Sequence, residues 1–178
     1  MDGGALVENY RFLARYNGWF NERLYEACER LSDEERKRDR HAFFGSIHGG
    51  LNHLIWADRL WLRRFAVQGV DFPSLTAEVL DLPEGAVHGT VVYADWATLR
   101  ARRAELDAAI GAWAAAMPPE FPLRTMRYAN TKGVQRAHPA WQALTHFFNH
   151  QTHHRGQVTT LLSQAGIDVG VTDMIALV

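Results

Sequence analysis

The chain has 178 residues, of which 47% are hydrophobic and 22% are charged, and its formal net charge at neutral pH is −1. A chain of this length suits a single domain over residues 1–178, with a core large enough to fold without disulfides or a structural metal. Its 19 basic and 20 acidic side chains lack the positive excess of a nucleic-acid footprint, so we expect no nucleic-acid partner.

Cysteine content and hydropathy indicate the compartment in which the protein works. Cys28 is the only cysteine, which excludes an internal disulfide, and its place in an apolar helical pattern favours inert packing over reactivity. No window approaches the roughly 18 apolar residues of a membrane-spanning helix, and the first residues do not resemble a secretory leader. We therefore expect a cytoplasmic protein with no membrane partner.

Four segments carry the period of an amphipathic helix. In chain order they cover residues 6–31, 46–67, 93–117 and 140–164. Each is followed by residues that stop helices, namely Ser32-Asp33, Gly69 with Pro73, Pro118-Pro119 and Gly166. The charged run at 33–40 mixes both signs and indicates a solvated helix end or linker. Four such segments, each able to bury one face, predict an all-α four-helix bundle.

Two connections between these predicted helices are long. The connection 67–92 can carry the chain along the whole bundle, which permits a crossover instead of a simple hairpin of helices. The connection 122–138 contains the segment 127–134, whose Asn-to-Gly turn predicts a small two-stranded hairpin.

Five polar residues occupy positions that the helical spacing assigns to the core. They are Asn17, Asp58, Arg103, Gln151 and His154. Buried polar groups are costly unless they find partners. Several of them in one bundle indicate either a polar cavity or a hydrogen-bonded structural network, unless the seams drift so that these residues face the rim.

The fourth predicted helix carries four histidines within nine residues: His146, His150, His153 and His154. His150 and His154 lie one turn apart on the same face and can bind one metal ion. The spacing alone also allows His146 with His150, or His150 with His153. Gln151 stands where the HExxH motif of zinc proteases has its glutamate, so the protease reading fails.

A third ligand is expected from a neighbouring helix. His53 is the best candidate, because it lies inside the apolar second helix, where an imidazole without a partner would be costly. Neutral imidazoles suit zinc, nickel, copper or iron, and three of them leave a position for water or substrate, as in catalytic sites. We expect His41, His88 and His138 to be surface or loop residues.

Several motifs resemble those of the DinB family of DinB/YfiT-like helical metalloproteins. The segment 149–157, NHQTHHRGQ, is similar to the family's HxxxHRGQ segment. The segment YNGWFN at 16–21 resembles its YNxWxN pattern, 53–62 resembles its single-histidine helix, and 166–174 resembles its usual ending. The resemblance extends from Tyr10 to Asp173.

The resemblance implies a four-helix bundle with a crossover and one divalent ion, often nickel or zinc. It implies that His53, His150 and His154 hold the ion, with water completing the coordination shell. His153 then becomes a neighbouring or surface group. The residues expected to line the cavity or to contact the ligands are Asn17, Asp58, Arg103, Gln151, His153 and Gln157.

The family includes low-molecular-weight-thiol S-transferases and a thiol-dependent maleylpyruvate isomerase. The favoured hypothesis is therefore a metal-dependent enzyme acting on a small molecule, with such a thiol as its cofactor and Arg103 available for a carboxylate. The alternative is a non-catalytic metal or small-molecule binding module. DinB-like proteins are commonly homodimers, and six tryptophans and nine phenylalanines exceed what one four-helix core readily hides, so we predict a twofold dimer.

Overall fold

The computed structural model describes residues 2–178, which form four long helices, one short helix and one hairpin of strands. The helices are α1 (Gly3–Glu29), α2 (Asp33–Lys37), α3 (Ile47–Ala66), α4 (Trp96–Ala115) and α5 (Ala140–Gln164). The strands are β1 (Thr125–Ala129) and β2 (Gln135–Pro139), and short 3-10 turns cover Phe121–Leu123 and Met174–Leu177. The predicted all-α fold with four main helices is confirmed.

Side-chain caps define where three of the long helices begin. The side chains of Asp2, Ser46 and Asp95 each accept a hydrogen bond from a backbone N–H in the first turn of α1, α3 and α4. Such caps satisfy N–H groups that have no partner within the helix. Helix α5 begins directly after Pro139 without a side-chain cap, and Ala140 N donates instead to Arg124 O at 2.8 Å.

The core lies between α1, α3, α4 and α5, with α1 packed on α4 and α5, and α3 packed on α5. Aromatic rings fill one end of it: Phe65 stacks on Trp113 at 5.1 Å, and Phe147 meets Phe65 edge-on at 5.9 Å. Offset and edge-to-face pairs of this kind add to the free energy gained by burial. None of the helices within residues 2–178 is long and apolar enough to cross a bilayer.

The connection between α3 and α4 runs back along α3. Its backbone carbonyls at Leu80, Asp81, Ala86, His88 and Tyr93 bond to the side chains of Arg63, Arg59, Trp56, His53 and Asn52, respectively. Residue numbers rise along the connection while the numbers of its partners on α3 fall, so the connection runs antiparallel to α3. Helix α4 therefore begins at the same end of the bundle as α3. The crossover is thereby confirmed.

The hairpin is also present and is longer than the motif that predicted it. Thr125 pairs with Pro139 and Ala129 with Gln135 in an antiparallel register. At the turn, Asn130 Oδ1 accepts hydrogen bonds from Lys132 N and Val134 N. The Asn-to-Gly segment therefore marked the turn, whereas the strands extend beyond it on both sides.

The charged run at 33–40 is not a fully solvated helix end or linker. Arg36 in α2 is 7% exposed, its guanidinium lies 4.3 Å from the Trp96 ring, and its Nη1 donates to Cys28 O at 3.2 Å. Cys28 itself is fully buried, and burial raises the pKa of its thiol to about 12. That burial supports the packing role expected for this cysteine.

A single copy of the chain hides nearly all of its large aromatic side chains. Every tryptophan and phenylalanine is at least half-buried except Phe43, which is 77% exposed. The aromatic content therefore does not by itself call for a second copy of the chain, because the long crossover and the hairpin cover rings that the four helices leave open.

Candidate metal centre

His53 on α3 and His150 and His154 on α5 bring their Nε2 atoms together. His150 Nε2 lies 3.4 Å from His53 Nε2 and 3.0 Å from His154 Nε2, and the ligand atoms all lie within 4.8 Å of one another. Two nitrogens bound to one zinc ion at about 2.0–2.1 Å lie about 2.9–3.4 Å apart when their angle at the metal is between about 90° and 110°. Both separations from His150 Nε2 fall in this range, as expected for ligands of one ion.

The second ring nitrogens of two of these histidines fix their tautomers. His53 Nδ1 lies 2.9 Å from the backbone carbonyl of His88, and His154 Nδ1 lies 2.8 Å from Gln157 Oε1. Both partners are oxygens that only accept, so the Nδ1 atoms carry the protons and the Nε2 lone pairs stay free. Proteins orient metal-binding imidazoles by such contacts.

The surroundings keep the three imidazoles neutral. Burial, together with the neighbouring imidazoles, lowers the pKa of His53 to about 4 and that of His150 to about 3. Burial is also the main cause of the lowered pKa of His154. Because a metal ion binds only the unprotonated imidazole, this environment favours metal binding over protonation near neutral pH.

Aromatic rings close the α3 side of the centre. Phe44 stacks on His53 at 3.9 Å and meets His154 edge-on at 5.4 Å, and Trp56 stacks on His53 at 5.8 Å. His53 is buried, whereas His150 and His154 are half-buried. The centre is thus open to solvent on the α5 side, where a ligand can approach it.

The other histidines lie outside the cluster. The ring of His146 is 5.6 Å from that of His150, and exposed His153 is 4.8 Å from His154 and accepts from Gln157 Nε2 at 3.3 Å. Of the possible pairs on α5, the structure therefore favours His150 with His154. Exposed His41 and the loop residue His88 lie where the sequence predicted.

Behind the centre lies a buried network that we call the Asp58 network. Asp58 Oδ1 accepts from Gln151 Nε2 at 2.9 Å, and Asp58 Oδ2 accepts from Arg103 Nη1 at 2.6 Å. Arg103 also forms a two-bond ion pair with Asp107, at 3.0 Å from Nε and 2.6 Å from Nη2. Asp58 is 1% exposed and Arg103 is 2% exposed, so solvent does not compete for these bonds.

The network continues to α1. Asn17 Nδ2 and Asn21 Nδ2 donate to Asp107 Oδ1 at 2.8 Å and 2.9 Å, and Arg155 Nη1 donates to Asn17 Oδ1. Gln151 and Arg155 each follow a cluster histidine directly on α5, so the network supports the back of the helix that carries His150 and His154.

These contacts support one of the interpretations of the polar core positions. Asn17, Asp58, Arg103 and Gln151 belong to a hydrogen-bonded network, which is the structural alternative. The guanidinium of Arg103 is already paired with two carboxylates, so its contacts give no support to a role in binding a substrate carboxylate. Gln157, by contrast, contacts a cluster histidine directly.

Sequence reasoning missed three members of the network: Asn21, Asp107 and Arg155. Two of them had a local signal. Asp107 follows Arg103 by four residues, the spacing of a helical ion pair. Arg155 lies on the seam of α5 between Gln151 and Val158, at the same four-residue and three-residue steps as its apolar neighbours.

Comparison with known protein families gave a match that covers nearly the whole chain. The family model described as the DinB family matches residues 6–177. No match was found among curated proteins or among solved structures.

Proposed function

The chain belongs to the DinB family, and from this premise we propose that it is a metal-dependent enzyme that acts on a small molecule. One divalent transition-metal ion, nickel or zinc, is held by His53, His150 and His154. The observation that carries the proposal is the convergence of three imidazole nitrogens, all within 4.8 Å of one another. Three protein ligands leave a position for water or substrate.

The favoured reaction class is a thiol-dependent S-transfer. A divalent ion with an open position lowers the pKa of a bound water or thiol, so that the nucleophilic anion is present at neutral pH. The chain's own residues prepare the site: the His88 carbonyl and Gln157 orient two imidazoles, and Phe44 shields His53 from water. The half-buried α5 side admits the small molecule.

A cobalt-substituted protein provides the test of this proposal. Adding glutathione, cysteine, bacillithiol or mycothiol is expected to produce a new charge-transfer absorption band, because soft sulfur binds such ions well once it is deprotonated. Turnover should follow with an electrophilic acceptor and should vanish in His53→Ala. Cys28 is buried and does not compete for the metal. His41→Ala, at an exposed histidine outside the cluster, is the matched control and should retain both signals.

The second candidate is a non-catalytic module in which the ion stabilises the bundle. The Asp58 network favours it, because the charged groups behind the centre are paired with one another. In that case no thiol changes the cobalt spectrum and no acceptor turns over, yet metal removal lowers the melting temperature. The cobalt spectrum, the turnover assay and the melting temperature without metal thus separate the two candidates.

A twofold homodimer is a further part of the proposal. The buried aromatic rings give it no support, but apolar side chains remain on the surface, among them Phe43 beside Phe44 and Ile175 near the C-terminal end. Exposed apolar groups often mark interfaces, and a twofold axis would use the same patch on both copies. We expect light scattering at micromolar concentration to give the mass of a dimer, and a monomer mass would contradict the proposal.

A further inference from the structure

A half-buried arginine lies on the same side of α3 as the metal centre. Arg64 follows His53 by eleven residues, a separation that returns to nearly the same helix face about 16 Å further along the axis. Long side chains on a helix lean toward its N-terminal end, so the guanidinium of Arg64 reaches back toward the centre.

A row of side chains, which we call the Arg64 row, connects the metal centre with Arg64. It starts at His150 and continues to His146, whose ring is 5.6 Å away, and then to Trp61, 5.0 Å from His146. The guanidinium of Arg64 lies 4.6 Å from the Trp61 ring and 4.8 Å from the ring of Tyr128 on β1. All five side chains are exposed or half-buried, so the row is an accessible strip between α3, α5 and the hairpin.

The guanidinium of Arg64 has ring faces as neighbours and no counterion among the described residues 2–178. Within residues 2–178, Arg103 of the Asp58 network and Arg36 of the charged run contact carboxylates, but the contacts of Arg64 are with Trp61 and Tyr128. Contact with ring faces restrains the planar group and leaves its N–H edges free for a two-bond interaction in the plane. Burial of the side chain partly desolvates its charge and so lowers the pKa of Arg64.

Packing of the hairpin does not account for this cation. Gln68 already ties β1 to the end of α3, since its amide accepts from Arg127 N at 3.1 Å and donates to Arg127 O at 3.0 Å. An uncharged side chain of similar length would fill the space between Trp61 and Tyr128 without the cost of desolvating a charge. The unpaired charge therefore points to a ligand.

We propose that Arg64 binds the carboxylate of an elongated substrate whose other, reacting end lies at the metal centre. The placement of the reacting end at the metal centre rests on the proposed function. The site thereby selects carboxylates over neutral molecules of the same length, with the body of the substrate lying along His146 and Trp61.

The test uses cobalt-loaded protein and a series of ω-mercaptoalkanoates of increasing chain length, each compared with the mercaptoalcohol of the same length. Affinity is measured from the change in the cobalt absorption spectrum. At the chain length that spans the Arg64 row, the carboxylate is expected to bind at least about tenfold more tightly than the alcohol, as a hydrogen-bonded charge pair implies. Equal affinities at every length would overturn the proposal.

Three variants assign the effect to Arg64. Arg64→Met keeps the length of the side chain and should reduce the carboxylate to the affinity of the alcohol, while Arg64→Lys should restore part of the preference. Arg23→Met is the matched control, because exposed Arg23 also lies over a tryptophan ring, 4.6 Å from Trp19, on a different helix. A preference that survives in Arg64→Met, or that Arg23→Met removes equally, would contradict the proposal.

A second measurement separates this inference from the proposed function. If neither thiol series changes the cobalt spectrum, the thiol-transferase proposal fails, and calorimetry with octanoate and octanol then tests Arg64 alone. Binding of octanoate that is lost in Arg64→Met supports the carboxylate site. Absence of octanoate binding in the wild-type protein overturns it.

Discussion

Replacing His150 or His154 with alanine is expected to remove most of the bound metal from the purified protein. The wild-type protein should contain about one transition-metal ion per chain, because three imidazoles and one or more waters complete its coordination. Removing one imidazole leaves only two protein ligands, which is too few to hold an ion that prefers four ligands. Elemental analysis of protein purified without added metal measures the effect.

The controls for this result are the two histidines that neighbour the cluster. His146→Ala and His153→Ala should retain the metal, because their rings lie beside His150 and His154 without joining the convergent Nε2 atoms. Loss of metal in His146→Ala would favour the alternative pair of His146 with His150. Full occupancy in His150→Ala or in His154→Ala would exclude the ligand set itself.

The largest expected effect on stability follows from replacing Asp58 with alanine. Asp58 receives hydrogen bonds from Arg103 and Gln151, and all three side chains are almost completely buried. Removing one partner of a buried ion pair leaves an uncompensated charge and typically costs about 3–5 kcal/mol. Because Arg103 keeps its pair with Asp107, we expect a loss near the lower end, about 3 kcal/mol of the free energy of unfolding.

Urea denaturation of the metal-free protein measures this loss directly. Glu105→Ala provides the matched control: Glu105 lies on α4 like Arg103, but its pair with Arg102 is on the surface, where ion pairs contribute little. Its midpoint should stay close to that of the wild-type protein. If Asp58→Ala unfolds at the wild-type urea concentration, the Asp58 network does not hold the bundle together as its contacts imply.

The histidine variants and Asp58→Ala affect opposite faces of α5, because Asp58 on α3 contacts α5 through Gln151. His150 and His154 face the open side of α5, whereas Gln151 and Arg155 face the Asp58 network behind it. A protein with an intact network and a lost histidine should therefore fold without metal. We expect His150→Ala to keep the wild-type circular dichroism spectrum, which shows that metal loss is not a consequence of unfolding.

Much of the fold is determined by local patterns in the sequence. Helical hydrogen bonds join residues four apart, so the apolar period and the glycines and prolines that follow the helices predict the elements one at a time. The same local geometry places His150 and His154 on one face. The family motifs are likewise contiguous stretches, and the family match confirms the resemblance they showed.

Tertiary structure alone decided which distant groups meet. His53 lies 97 residues before His150, and its Nε2 reaches the α5 pair only because α3 and α5 pack at one particular rotation and height. The same holds for Asp58 and Arg103, 45 residues apart, which form a buried ion pair. A helical period states which face of a helix is buried, but the rotation and translation of two helices come from interlocking side chains over the whole core. For that reason the sequence determined the faces, and only the packed bundle determined the partners.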